Sequence, residues 1–447
     1  MNSKCLALAL LSTLVAHGVS ADWNRFRGPG GSGVAEGPVP TEYSMTQNLM
    51  WRVDLPGKGV SSPIINGDRV YLTAYTGYGL DLENPGKPEN LVRHLLAFDR
   101  ATGDEVWRVS VASEGDEDPY QGFITQHGYA SATPVTDGDR IYALLGKSGI
   151  LAVDRDGREL WRQKMGKKSD PARWGDASSP VLVDDVLVIH AGVLGHQIVG
   201  LDKHTGKRLW AIEDQGFTSA WSTPAVYRNG DSVQVVAHAP RKVMGIDPKS
   251  GEVIWHAASP LDDATSLSIV VQDGVAYLMG SRAGHAMAVE LSGRGDVSET
   301  HVRWKVQARA GITTPVIVGD AIYWPSNGIF LAHSLETGER IYQARLPRHG
   351  APTGGFPNVD YSSPIVVDGQ ILMFTRNGES YLIEPGTEFK VAAHNAPFDS
   401  DNTAFSATPA VSQGELFVRS EGFLYRIATV KDGAVKEDAE LAASADR

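Results

Sequence analysis

Short apolar segments alternate with turn-forming residues along this chain, and the alternation keeps one rhythm from Trp51 to the last apolar stretch at Phe423 to Ile427. The clearest copy is Ala97 to Trp107, AFDRATGDEVW. An apolar strand ends at Asp99, Thr102-Gly103 turns the chain, and Glu105 to Val109 alternates as a strand with one buried face should. Glycine takes positive φ without steric cost, and Asp99 can hydrogen-bond the turn backbone. An aromatic fixed at Trp107 predicts a packing peg between neighbouring repeats.

Two landmarks recur. The first is a small-residue pair, usually followed by proline, then an apolar strand, an Asp/Gly turn and another strand: SSPIINGDRVYL from Ser61 is one copy. Its anchors are Pro63, Pro134, Pro180, Pro224, Pro315, Pro364 and Pro409, with Ile269 in a degenerate copy from Leu267. The second landmark is a closing aromatic: Trp51, Trp107, Trp161, Trp210, Trp255, Trp304 and Tyr342, with Phe389 a weak match. The copies after the first are spaced by about 45 residues, the length of a four-stranded propeller blade. The pattern predicts an all-β, eight-bladed β-propeller of four-stranded antiparallel blades. Trp51 precedes the first proline, and the region ends three strands into a blade, so the Trp51 strand is expected to complete the last blade. Such closure removes free sheet edges. A parallel β-helix would need shorter rungs.

Outside the repeats, Lys4, the apolar run Leu6 to Ala16 and the small residues Val19-Ser20-Ala21 read as an export signal over residues 1–21. Residues 22–47 then form an N-terminal extension packed on the propeller, 48–428 the propeller, and 429–447 an acidic, disordered tail. The lone Cys5 precedes the apolar run, which argues against a lipid-anchored protein. The exported chain would have no disulfide and no thiolate metal site. A net charge of −12 argues against a nucleic-acid or anionic-membrane partner.

The repeats resemble the pyrroloquinoline-quinone-like (PQQ-like) propeller family, whose signature is A-x-D-x-x-T-G-x-x-x-W. Ala97, Asp99, Thr102, Gly103 and Trp107 match it in full. Gly200, Asp202, Thr205, Gly206 and Trp210 match with glycine for alanine, and Gly245, Asp247, Ser250, Gly251 and Trp255 with two substitutions. The resemblance covers Asp22 to Ala428 and implies the propeller fold. It implies two function classes: quinoprotein dehydrogenases, and non-catalytic propellers of the BamB type. It also marks Trp51, Trp107, Trp161, Trp210, Trp255 and Trp304 as structural docking residues.

Every long segment falls on the face carrying second-to-third-strand loops and inter-blade connections: Thr73 to Arg93, Ser110 to Ala130, Gln343 to Asp360 and Val391 to Ala404. Loops of this length are more often functional than incidental. Residues entering each inner strand should ring the channel mouth there. The ligand-binding candidates are Lys58, His127, Tyr129, Trp174, Asp176, Trp221, Asp360, Tyr361, Asp401 and Asn402, aromatics beside polar groups as a pocket requires. A quinone enzyme would place PQQ over Trp174 or Trp221, with Asp176, Asp360, Asp401 and Asn402 as oxygen ligands for Ca²⁺. The adjacent cysteine pair of the alcohol-dehydrogenase branch is absent. No zinc or EF-hand spacing occurs, so no metal residue and no catalytic residue is assigned. The reading is an exported, monomeric, periplasmic or secreted binding or scaffold propeller, with an envelope protein, glycan or small molecule as partner. Its alternative is a PQQ-dependent oxidoreductase of alcohols, aldehydes or sugars.

Overall fold

The computed structural model describes residues 22–114, 116–261, 264–281, 284–347 and 360–430. The segment read as an export signal, most of the Gln343 to Asp360 segment and nearly all of the segment read as an acidic tail lie outside them.

Eight sheets form the ring, each with four strands in blade order. Blade one runs Ile64–Asn66, Arg69–Thr76, Val92–Asp99 and Glu105–Ala112 from the inside outward. Blade eight takes Ala410–Ser412, Glu415–Arg419 and Phe423–Ile427, and its outer strand is Leu49–Asp54, antiparallel to Phe423–Ile427. The N-terminal strand therefore closes the ring. Blades four and seven each gain a short extra strand, Gly295–Asp296 and Val34–Ala35. Apolar side chains of facing sheets fill the spaces between blades, for instance Leu144 and Ala152 against Leu187 and Val199.

At the channel, the second residue of each small-residue pair ties one blade to the next. Ser62 N–H donates to Thr133 Oγ1, Thr133 N–H to Ser179 Oγ, and the series continues through Thr223, Ser268, Thr314, Ser363 and Thr408. Thr408 N–H then donates to Ser62 Oγ, closing a circle of eight bonds of 2.9–3.1 Å. This is why serine or threonine recurs there, and why blade five keeps Ser268 although it lacks the proline. A backbone N–H entering a buried strand needs an acceptor, and the neighbouring hydroxyl supplies one.

At the outer edge, five of the six docking indoles lie on the turn glycine of the next blade and donate to a turn carbonyl. Trp51 Nε1 bonds Arg100 O at 3.0 Å, Trp107 bonds Arg155 O at 2.8 Å and Trp161 bonds Lys203 O at 3.1 Å. Trp210 and Trp304 repeat the contact on Pro248 O and Leu335 O. A Cβ on Gly206 would sit 2.6 Å from the Trp161 ring, so the turn glycine is required for contact as well as for its positive φ. Trp255 departs from the expected docking. The next turn, Leu291 to Asp296, has lost Thr-Gly. Trp255 is fully buried and donates instead to Gln234 Oε1 at 2.6 Å, while Gln234 Nε2 donates to Leu291 O at 2.9 Å. An amide is thus inserted into the same bond, reaching the carbonyl the indole would otherwise contact.

The N-terminal segment forms a plug and a wedge. Asp22 to Gly33 crosses the short-turn face, where Trp23 O, Asn24 O and Gly33 O accept N–H bonds from the inner-strand residues Ile65, Thr136 and Val366. Arg27 is buried and donates to Thr314 O, Pro315 O, Pro364 O and Ser32 O at 2.6–3.2 Å. Val39 and Tyr43 then wedge into the apolar layer between blades seven and eight, and Tyr43 N–H bonds Asn395 Oδ1. The strands also run further into the long segments than the sequence suggests. Arg69–Thr76 and Lys390–Asn395 extend past the expected loop starts, leaving 77–91 and 396–409 as connections.

Candidate functional site

Side chains two residues apart on a strand share a face. Two positions before each ring hydroxyl, a second residue therefore faces the channel: Val60, Ser131, Ala177, Trp221, Ser266, Ile312, Tyr361 and Ser406. The chamber thus has a uniform tier of eight hydroxyls and a varied tier above it. The varied tier is unequal around the ring. Blades eight, one, two and three contribute Ser406, Val60, Ser131 and Ala177, while Trp221, Ile312 and Tyr361 crowd the other half.

Phe26, between Arg25 and Arg27, forms the floor on the short-turn face. Phe123, His127 and Trp174 roof the opposite side. Phe123 stands on the short 3₁₀ helix Gly122–Gln126 in the blade one-to-two connection. Its ring lies 6.4 Å from Tyr361 and 5.1 Å from Trp174, and Trp174 lies 5.3 Å from Trp221. These four rings form a row from blade seven to blade four. Phe123, Trp174 and Tyr361 are half-buried, so the chamber meets solvent among them. The cavity inside the chamber is about 120 Å³, below the ~300–1,000 Å³ of clefts that take drug-sized ligands, so it suits a small ligand held at an open mouth.

Of the sequence candidates, His127, Trp174, Trp221 and Tyr361 line the chamber. The remaining six are placed elsewhere. Lys58 pairs with Glu421 at 3.4 Å. Tyr129 is packed among Tyr75, Tyr78 and Tyr120, its hydroxyl donating to Asp118 O. Asp360 accepts the N–H groups of Asn327 and Gly328, both at 2.9 Å. Asp401 holds Thr403 and accepts the Tyr425 hydroxyl at 2.7 Å, and Asn402 is exposed. Asp176 lies with Arg93, Glu117 and Lys147 in a separate small cavity under the mouth. Among the described residues, no three His, Cys, Asp or Glu side chains group so as to hold a metal ion.

The electrostatics separate the two cavities. Burial holds the His127 imidazole down at about 4, so it is neutral at pH 7; its Nδ1 lies 2.7 Å from Ser131 Oγ. Burial pushes the Asp176 carboxyl up to about 7, and both its oxygens are buried without a hydrogen bond. An acid whose folded pKa is raised binds more protons folded than unfolded between the unfolded value near 4 and about 7. The ionisation penalty of its burial is absent below that window and complete above it. Asp176→Asn should therefore leave stability near wild type at pH 4 and raise it by a few kcal/mol at pH 8. Urea unfolding at the two pH values checks this. A gain of the same size at both would exclude titration of Asp176 as its source.

Comparison with known proteins places this geometry in a family. A family model described as outer membrane protein assembly factor BamB matches residues 93–344. The BamB of Moranella endobia is 27% identical over 188 residues, 40% of this chain and 48% of that protein. The BamB of Shewanella oneidensis is 26% identical over 166 residues, 36% of this chain and 38% of that protein. The chain thus spans about half the length, or less, of the curated relatives it matches. Among solved structures, BamB from Moraxella catarrhalis superposes with a TM-score of 0.58 at 12% identity, covering 86% of this chain and 98% of that one. A europium-containing methanol dehydrogenase gives 0.64 at 12% identity, covering 91% and 98%. At such identity the likeness is one of fold, and it spans an assembly factor and a dehydrogenase. The repeat signature, the eight closed blades and the family-model match over more than half the chain converge: this protein belongs to the PQQ-like β-propeller family that includes BamB.

Proposed function

We propose that this is an exported, non-catalytic binding propeller that takes its ligand into the channel chamber from the loop-bearing face. The observation that carries the reading is the asymmetry of the channel. Phe26 and the arginine bonds on either side of it fill the short-turn end, whereas half-buried aromatics and long connections surround the other. The curated relatives are named as assembly factors of the outer membrane, which supports a place in the cell envelope and an envelope protein as the partner for the surrounding loops.

The quinoprotein alternative fits the donor set less well. Asp360 and Asp401 are engaged in holding loop backbone, and Asp176 lies in the other cavity. No described side chain lining the chamber supplies a carboxylate for Ca²⁺. The discriminating experiment is reconstitution with PQQ and Ca²⁺, followed by absorbance titration and dye-linked oxidation of alcohols and aldehydes. The expected result is no saturable cofactor binding and no turnover. Stoichiometric binding with turnover would establish the enzyme instead.

A further inference from the structure

We infer that the chamber takes an uncharged, hydroxyl-rich ligand, a neutral sugar unit, and not a polyanionic quinone. This rests on the reading that the chamber is the binding site, and three observations carry it.

The first is charge. Among the described residues lining the chamber there is no carboxylate, ammonium or guanidinium group. Its one imidazole, His127, is held neutral by burial. Arg25 and Arg27 flank the floor and stay cationic, but they lie outside the lining and direct N–H groups to backbone carbonyls at the inner-strand entrances, not into the chamber. Arg376 stands behind the wall, 5.5 Å from the Tyr361 ring, and bonds Gln126. PQQ carries three carboxylates, which such a lining could not compensate, since a charge removed from water needs a partner.

The second is hydrogen-bonding capacity. Each ring hydroxyl accepts one backbone N–H, which leaves its own O–H and a second lone pair. Ser406 Oγ, in the tier above, is buried with no hydrogen-bond partner. Groups that both donate and accept are complementary to ligand hydroxyls, which do the same. A site built this way discriminates strongly for a ligand that satisfies its polar groups.

The third is shape. Trp174 and Trp221 stand 5.3 Å apart beside Phe123. Aromatic faces are electron-rich and pack against the C–H face of a sugar ring while its hydroxyls point to the rim. The small-residue half, around Ser131, Ala177 and Ser406, provides the room.

The test is a titration of the full chain, followed by tryptophan fluorescence and calorimetry. The probes are glucose, N-acetylglucosamine and maltose, the charged relatives glucuronate and glucosamine, and PQQ and indole. Trp174→Ala and Trp174→Phe are run in parallel. The expected result is one-to-one binding of at least one neutral saccharide. Glucuronate should bind at least about tenfold more weakly than glucose, ~1.4 kcal/mol. Trp174→Ala should weaken saccharide binding at least as much, and Trp174→Phe should restore most of it. If a charged probe, PQQ or indole binds best and still depends on Trp174, the ligand class is wrong and the chamber stands. If no probe binds, or binding ignores Trp174, the chamber reading falls with it.

Discussion

Removing Met50 to Asp54 is expected to destabilise the whole ring, not one blade. The strand Leu49–Asp54 is the fourth strand of blade eight, paired along its length with Phe423–Ile427. It also carries Trp51, whose indole lies on Gly103 of blade one and bonds Arg100 O. Both the sheet edge and the junction between blades eight and one depend on it. An open edge would leave the strand Phe423–Ile427 with unpaired backbone groups. Deletion should lower the urea midpoint by several kcal/mol equivalent, with early loss of protection in blades one and eight. Because deletion also shortens the tether to the plug, Trp51→Ala isolates the docking contact, at about 3 kcal/mol for a large aromatic truncation. Cooperative melting at an unchanged midpoint in the deletion variant would refute the closure.

The second large effect is expected at Arg27. Its guanidinium gathers four carbonyls, two from blade six, one from blade seven and one from its own loop. Hydrogen bonds to a charged donor contribute about 1.5–3 kcal/mol each, though not additively. Arg27→Ala would leave those buried carbonyls without donors and open a void beside Phe26. A loss of about 4 kcal/mol is expected. Arg27→Lys should recover little, because a point-like ammonium cannot span the planar fork of contacts. Equilibrium unfolding of both variants measures this. Exchange of the Ile65, Thr136 and Val366 amides, which donate to the plug, should accelerate in step. An Arg27→Ala variant with wild-type stability would mean that the plug is not part of the fold.

Much of the fold was legible because it repeats. Proline after a small-residue pair marked every inner strand but that of blade five, where Ile269 replaces it, and an aromatic marked the outer ones. The surplus strand at Trp51 and the missing strand after Ile427 pointed to the same closure. The site was less legible, for reasons the structure makes plain. Reading the mouth as whatever precedes an inner strand mixed both faces of that strand. Counting two residues back from each ring hydroxyl selects Trp221 and Tyr361, and passes over Asp176 and Asp360, which lie three back and face away from the channel. That count was available from the sequence, and it also finds Val60, Ser131, Ala177, Ser266, Ile312 and Ser406. Phe26 and Phe123 were beyond it. Each lies in a non-repeating segment, where position is set by contacts with distant blades and not by local period. Trp255 shows the limit of a motif: the lost Thr-Gly turn was visible, but the replacement donor, Gln234, lies on a different strand.

The chamber as the seat of binding is tested most directly by filling it. Ala177→Trp places an indole in the small-residue half, at the tier position that Trp221 already occupies in the adjacent blade. The measurement is the binding isotherm of wild type and Ala177→Trp for the same saccharide, indole and PQQ probes, with a melting curve for each protein. The account predicts that Ala177→Trp melts like wild type and loses whatever wild type binds. Equal binding by Ala177→Trp and wild type would place the ligand outside the chamber and contradict it.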